Sequence, residues 1–163
     1  MARTDVQRWV RQLRSPRETD ILGKAIGQSL VGGEILALIG ELGVGKTSLV
    51  RGIAGGAGVP QDSVISPTFT LIQEYHGRVF LVHVDLYRIE SEKEIVGIGL
   101  QDYFNGQASV AIEWADRAFT LLPPDHLSIH LNYSGRRSRV ASLQATGPQS
   151  ADLLIKVMRH ADS

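Results

Sequence analysis

The run Gly40-Glu41-Leu42-Gly43-Val44-Gly45-Lys46-Thr47 carries the spacing Gly-x-x-x-x-Gly-Lys-Thr, the Walker A pattern, and Ser48 follows it directly. Each residue type here has a chemical use. The glycines allow backbone torsions and close approaches that a Cβ would forbid, so successive N–H groups can curl inward around phosphate oxygens. Lys46 offers a charge to the outer phosphates, and Thr47 offers a hydroxyl to Mg²⁺. A helix starting at this point adds the positive end of its dipole beneath the phosphates. The plain alternative is a glycine-rich turn with a chance lysine. Against it stands the order of apolar run, loop and helix pattern that the motif requires. Glu41, Leu42, Gly43, Val44, Gly45, Lys46, Thr47 and Ser48 are therefore the candidate nucleotide-binding residues.

Such a loop needs a carboxylate opposite it, to hold Mg²⁺ directly or through water, or to orient an attacking water. Two acids stand where an apolar run gives out: Asp85 after Val79–Val84, and Glu113 after Ser109–Ile112. A solvated strand terminus is the alternative for each. Thr68, within the hydroxyl-rich stretch Ser63–Thr70, suits a segment that closes over the γ-phosphate side of Mg²⁺, as switch segments do. A simple serine/threonine turn around Pro67 fits it nearly as well. His83 lies inside a strand and reads as packed or edge-exposed, while His76 and His126 read as surface residues. Trp114 reads first as a core anchor, with a partner-facing aromatic as the other choice. Arg136, Arg137 and Arg139 form a small basic cluster on a turn, equally consistent with solvent or with a nucleotide, RNA or protein contact.

The elements that must position these residues are legible in outline. Val6–Leu13 alternates weakly, as a strand would. Ser15-Pro16-Arg17-Glu18 has the composition of a capping box opening a helix, whose inward face carries Ile21, Leu22, Ala25, Ile26 and Leu30. Gly32-Gly33 ends that helix, and Glu34–Ile39 is the buried strand feeding the loop. A helix follows over 47–57, then a strand through Leu71, Gln73 and Tyr75, and a turn at His76-Gly77-Arg78. Ser91-Glu92-Lys93-Glu94 starts a short helix towards Leu100. His126–Tyr133 and Arg139–Gln144 read as paired strands, and a closing helix begins at Pro148. Buried strands interleaved with helices predict a single-domain α/β P-loop NTPase-like sandwich over residues 1–163. Its sheet should be mostly parallel, with antiparallel hairpin additions and flanking helices, and with the ligand at the carboxyl ends of the strands.

Composition narrows the classes further. At 163 residues the chain fits one domain with a real core, and 17 basic residues balance 17 acidic ones. No bulk charge therefore advertises a nucleic-acid or membrane partner. There are no cysteines, which removes disulfide partners, thiolate metal sites and thiol catalysis. No stretch has the ~18 uninterrupted apolar residues of a membrane helix. A soluble, cytoplasmic protein is the expectation. Guanine-reading Asn/Thr-Lys-x-Asp, transporter Leu-Ser-Gly-Gly-Gln and the third glycine of a dinucleotide fingerprint are all missing. These absences narrow the ligand towards ATP.

Four blocks in order, Gly-Glu-Leu-Gly-Val-Gly-Lys-Thr-Ser (40–48), Ser-Pro-Thr-Phe-Thr-Leu (66–71), His-Val-Asp-Leu-Tyr-Arg (83–88) and Ile-Glu-Trp-Ala-Asp (112–116), closely resemble the bacterial TsaE (YjeE) family. The resemblance spans the chain from the Ser15 helix to the Arg136–Arg139 turn. It implies a Mg²⁺-dependent ATPase, weak alone and stimulated by TsaB-like and TsaD-like partners. Together they place a threonylcarbamoyl group on the adenosine next to the anticodon of certain tRNAs, and this chain meets tRNA only through the complex. Carried over by motif, Lys46 contacts phosphates and Thr47 and Glu113 hold Mg²⁺. Thr68 sits in the switch-like segment, Asp85 belongs to the second acidic motif, and Trp114 lies beside Glu113. Ala115 and Asp116 stand where the family often has proline and glutamate, which blurs any role for the later acid. A small-molecule P-loop kinase is the alternative, with Glu90–Tyr103 as the only stretch able to serve as its lid. Direct tRNA binding through the arginine turn is a third reading.

Overall fold

The computed structural model describes residues 7–65 and 70–162. Among these residues seven strands form, and all join one sheet. They are β1 (Arg8–Leu13), β2 (Ile35–Ile39), β3 (Ile72–His76), β4 (Phe80–Asp85), β5 (Ser109–Glu113), β6 (Leu127–Tyr133) and β7 (Arg139–Ala145). Their spatial order is β1-β7-β6-β2-β5-β4-β3. β6, β2, β5 and β4 run parallel, while β7 and β1 on one side and β3 on the other pair antiparallel. The expected mostly parallel centre with antiparallel additions is what forms.

β2 shows why the centre is parallel. Ile35-Leu36-Ala37-Leu38 is apolar at every position because both faces of the strand are covered. Leu36 and Leu38 join the core under helices α1 (Pro16–Ser29), α2 (Lys46–Gly56) and α4 (Pro148–Ala161). Ile35 and Ala37 join a second core. Among the described residues, that second core is roofed by the short α3 (Glu92–Gly97) and by 3₁₀ turns at 100–103 and 115–121. The sheet is thickly covered on one face and thinly on the other. No helix among the described residues is long and apolar enough to cross a membrane.

Local chemistry sets the element ends. Ser15 caps α1 by accepting from Glu18 N at 3.3 Å. The Glu18 carboxylate reaches back to Arg14 N at 3.0 Å, one residue earlier than the reciprocal capping pair would have it. Glu34, expected to open β2, lies just before it, and its carboxylate accepts from Val31 N, Gly32 N and the Ser109 hydroxyl at 2.7–2.9 Å. Three donors make that buried charge tolerable and tie the starts of β2 and β5 together. Arg78, in the β3–β4 turn, donates to Gly27 O and Leu30 O at 2.7 and 2.8 Å, satisfying carbonyls that the end of α1 leaves open.

The α1–α2 contact was hidden in the sequence. Gly23 and Gly27 of α1 face Gly52 and Gly56 of α2, so the two backbones nearly touch. A Cβ on Gly27 would collide with the carbonyl of Ile53, and one on Gly56 with the carbonyl of Lys24. This seats α2, and the loop at its head, tightly against α1.

Candidate functional site

The loop between β2 and α2 turns through Gly43 and Gly45, whose φ values of 81° and 117° lie in the left-handed region. Among the described residues nothing lies within 4 Å of where a Cβ on Gly45 would stand, so they leave the space above the loop open. α2 starts at Lys46 without a side-chain cap, leaving its first amides free to receive an anion. Beside the loop is a cleft of about 280 Å³, lined by Gly43, Gly45, Lys46, Thr47, Asp85, Tyr87, Glu113 and Trp114 among others. It opens at the carboxyl ends of β2, β4 and β5, where a ligand of such a sheet is expected.

Register brings the acids in. Asp85 of β4 pairs directly with Glu113 of β5, and Glu113 lies across from Leu38 of β2. Both carboxylates are buried, at 4% and 3% exposure, so neither is a solvated strand end. The Thr47 hydroxyl lies 2.9 and 3.0 Å from the two oxygens of Glu113. Asp85 accepts from Tyr87 N at 2.9 Å, which folds the chain back over the cleft edge. Lys46 has its ammonium on Gly40 O and Glu41 O at 2.5 and 2.8 Å, and above the Trp114 ring at 4.1 Å. Burial pushes the Lys46 pKa down, and the nearby Glu113 and Asp85 carboxylates pull against that shift.

Trp114 does two things that the core-anchor reading did not separate. It packs against the second core and also lines the cleft. Its φ of 59° is unusual for a bulky residue and marks a constrained position. Tyr87 packs against it at 5.2 Å, and the Arg117 guanidinium lies 5.3 Å from the Trp114 ring. Arg117 also donates to Tyr87 O and Ile89 O, both at 2.7 Å, so it links the segments following β4 and β5. Arg117 carried no sequence signal.

The arginine turn proves to be part of the loop's surroundings. Arg139 donates from Nε to Val44 O at 2.9 Å and stacks over Tyr133 at 4.3 Å. Tyr133 in turn reaches Leu42 O at 3.4 Å. The β6–β7 hairpin thus braces the loop from outside. A second groove, about 220 Å³, lies on this side and is lined by Ser15, Thr19, Ser48, Arg136, Arg137 and Arg139 together with loop glycines. His76 is exposed and stacks on Phe80, as a surface residue would. His83 is fully buried, with Nε2 2.6 Å from Glu113 Oε2. Of the two expected readings, packed or edge-exposed, the first holds, but strand periodicity could not name its partner. Thr68 and the rest of Ser66–Phe69 lie outside the described residues.

The donor set fits Mg²⁺. It pairs a hydroxyl with carboxylate oxygens, and no three His, Cys, Asp or Glu side chains gather as a cage among the described residues. An ion here would take its remaining ligands from phosphate and water, the usual habit of Mg²⁺.

The chain as a whole is similar to known proteins. The family model described as threonylcarbamoyl adenosine biosynthesis protein TsaE matches residues 13–141. The tRNA threonylcarbamoyladenosine biosynthesis protein TsaE of Bacillus subtilis is 37% identical over 147 residues, covering 90% of this chain and 91% of that protein. The protein of the same name from a Nostoc species is 38% identical over 138 residues, covering 82% and 83%. Among solved structures, Bacillus subtilis YdiB superposes with a TM-score of 0.80 at 30% identity, covering 96% of this chain and 97% of that one.

Proposed function

This chain belongs to the TsaE family, and from that membership we propose that it is an ATP-binding and ATP-hydrolysing accessory protein of tRNA threonylcarbamoyladenosine biosynthesis. It acts with TsaB-like and TsaD-like proteins in the cytoplasm and meets tRNA only through that complex. The carrying observation is the convergence of the Thr47 hydroxyl and the Glu113 carboxylate at the mouth of the phosphate loop, within 3.0 Å of each other.

In this reading Glu41 to Ser48 wrap the phosphates, with loop amides and Lys46 as donors. Thr47 and Glu113 hold Mg²⁺, which when bound screens the charge on the phosphates. Asp85 stands beside Glu113 to hold or orient water. Thr68 supplies the segment that senses the terminal phosphate. The nucleoside half leaves over Ser48 into the arginine groove, because the loop is the shared wall of the two cavities. Guanidinium planes there suit stacking on a base face.

The kinase alternative loses ground on the packing of its lid candidate. Ile95 and Leu100 are fully buried in the second core, which makes 90–103 a fixed wall more than a flap. Reconstitution tests the proposal: tRNA, a threonylcarbamoyl donor, TsaB and TsaD are incubated with or without this chain and ATP. Repeated turnover of modification should require both. Turnover independent of this chain, or phosphate appearing on a metabolite instead of in water, would overturn it.

A further inference from the structure

His83 occupies the interior of β4 with no solvent exposure, and its Nε2 lies 2.6 Å from Glu113 Oε2. A carboxylate can only accept, so Nε2 carries the hydrogen and donates it. The other nitrogen, Nδ1, has no hydrogen-bond partner among the described residues. A buried imidazole left half-satisfied is a poor choice for filling a strand interior, where an aliphatic side chain costs nothing in desolvation. Its place in the sheet explains how it reaches. Asp85 pairs with Glu113, while His83 pairs with Ala111, two residues before Glu113 on the same face. The small Ala111 leaves room for the ring to lean along the sheet towards the carboxylate.

Glu113 is therefore held from two sides. His83 takes Oε2 from within the sheet, and the Thr47 hydroxyl takes the carboxylate from the phosphate loop. Resting on the reading of Thr47 and Glu113 as the Mg²⁺-holding pair, we propose that His83 is a positioning residue that fixes the orientation of the Glu113 carboxylate towards Thr47, and so sets how strongly Mg²⁺ improves nucleotide binding. A carboxylate free to rotate would spend part of its time turned away from Thr47. Partners that orient a metal-holding side chain in this way typically account for 10- to 100-fold in metal affinity. The phosphate contacts of the loop do not pass through His83 and are unaffected by it.

The test is calorimetric titration of ADP into wild type, His83→Leu and His83→Gln, each in EDTA and in excess Mg²⁺, with thermal unfolding to confirm folding. His83→Leu should bind ADP in EDTA within about twofold of wild type and lose roughly tenfold or more of the Mg²⁺-dependent gain. His83→Gln, which keeps a donor at similar reach, should recover most of it. A folded His83→Leu with the wild-type gain would overturn the inference, as would equal losses with and without Mg²⁺. If His83→Leu does not fold, His83→Gln against the shorter His83→Asn decides. Retention in the first with loss in the second supports the role, and identical behaviour overturns it. A wild-type protein whose ADP affinity ignores Mg²⁺ would overturn the metal reading itself, whereas a gain kept by His83→Leu removes only the role of His83.

Discussion

Lys46 starts from a satisfied state, its ammonium on two loop carbonyls and against an aromatic face. Binding a nucleotide exchanges those neutral partners for phosphate oxygens. Lys46→Ala should weaken ATP and ADP binding by roughly 1.5–3 kcal/mol, the usual range for hydrogen bonds to a charged group, or about ten- to a hundredfold in Kd. Burial lowers its pKa from the ordinary 10.5 in the free protein, and bound phosphate favours the charged form and raises it again. Affinity should therefore be flat below the lowered pKa and fall as pH rises through it, with proton uptake on binding in that window. Calorimetry in buffers of different ionisation enthalpy checks both. An affinity that stayed flat up to 10.5 would refute the shift. Glu113→Ala should cut hydrolysis on the order of a hundredfold, about 3 kcal/mol in barrier, while changing metal-free nucleotide affinity little. Unchanged turnover would remove Glu113 from the metal site. At this scale the sequence already pointed to Lys46, Thr47, Asp85 and Glu113, because motif spacing and strand ends are local features. It could not pair His83 with Glu113 or place Arg117 beneath Tyr87 and Trp114. Those contacts depend on which strand lies next to which.

Among the elements, the α1–α2 seam is the most exacting. Its glycines leave no room for a methyl group, so Gly27→Ala must push two helices apart or bend one. Overpacking of this kind costs about 1–3 kcal/mol, and a backbone carbonyl yields less readily than a side chain, so the upper end is expected. For a chain of this size that lowers Tm by roughly 5 °C or more. Gly97→Ala is the control. Among the described residues nothing lies within 4 Å of its added methyl, so it should be neutral or mildly stabilising by about 0.5 kcal/mol. Equal melting of the two variants would refute the close approach. The pairs Gly23/Gly27 and Gly52/Gly56 share a spacing of four that was present in the sequence, yet glycine in a helix usually signals weakness or an end. Only the meeting of two such pairs gives them meaning. Arg139 belongs to the same scale, since the β6–β7 hairpin carries it to Val44. Arg137→Ala should weaken ATP and ADP several-fold, on the order of 1 kcal/mol for one lost guanidinium–base contact, and leave tripolyphosphate binding unchanged. Equal effects on tripolyphosphate would place the nucleoside elsewhere.

For the whole molecule, one sheet carries both core layers, and we expect the chain to unfold as a single domain. One calorimetric transition, shifted upward by Mg²⁺ and nucleotide, is the outcome that fits; two separated transitions would divide it. Fold class was readable because apolar runs and caps are local, but strand order was not. β2 lies between β5 and β6, so Leu38 pairs across to Glu113 on one side and Ile129 on the other. Both neighbours are made long after β2 itself. During synthesis Ile35–Ile39 therefore emerges as a wholly apolar strand with both edges open, and it waits for some seventy further residues before its first partner exists. Pairings this distant in sequence close slowly. A ribosome-bound chain would thus display a finished phosphate-loop sequence well before it can hold a nucleotide, and through that interval the strand is the segment most in need of a chaperone.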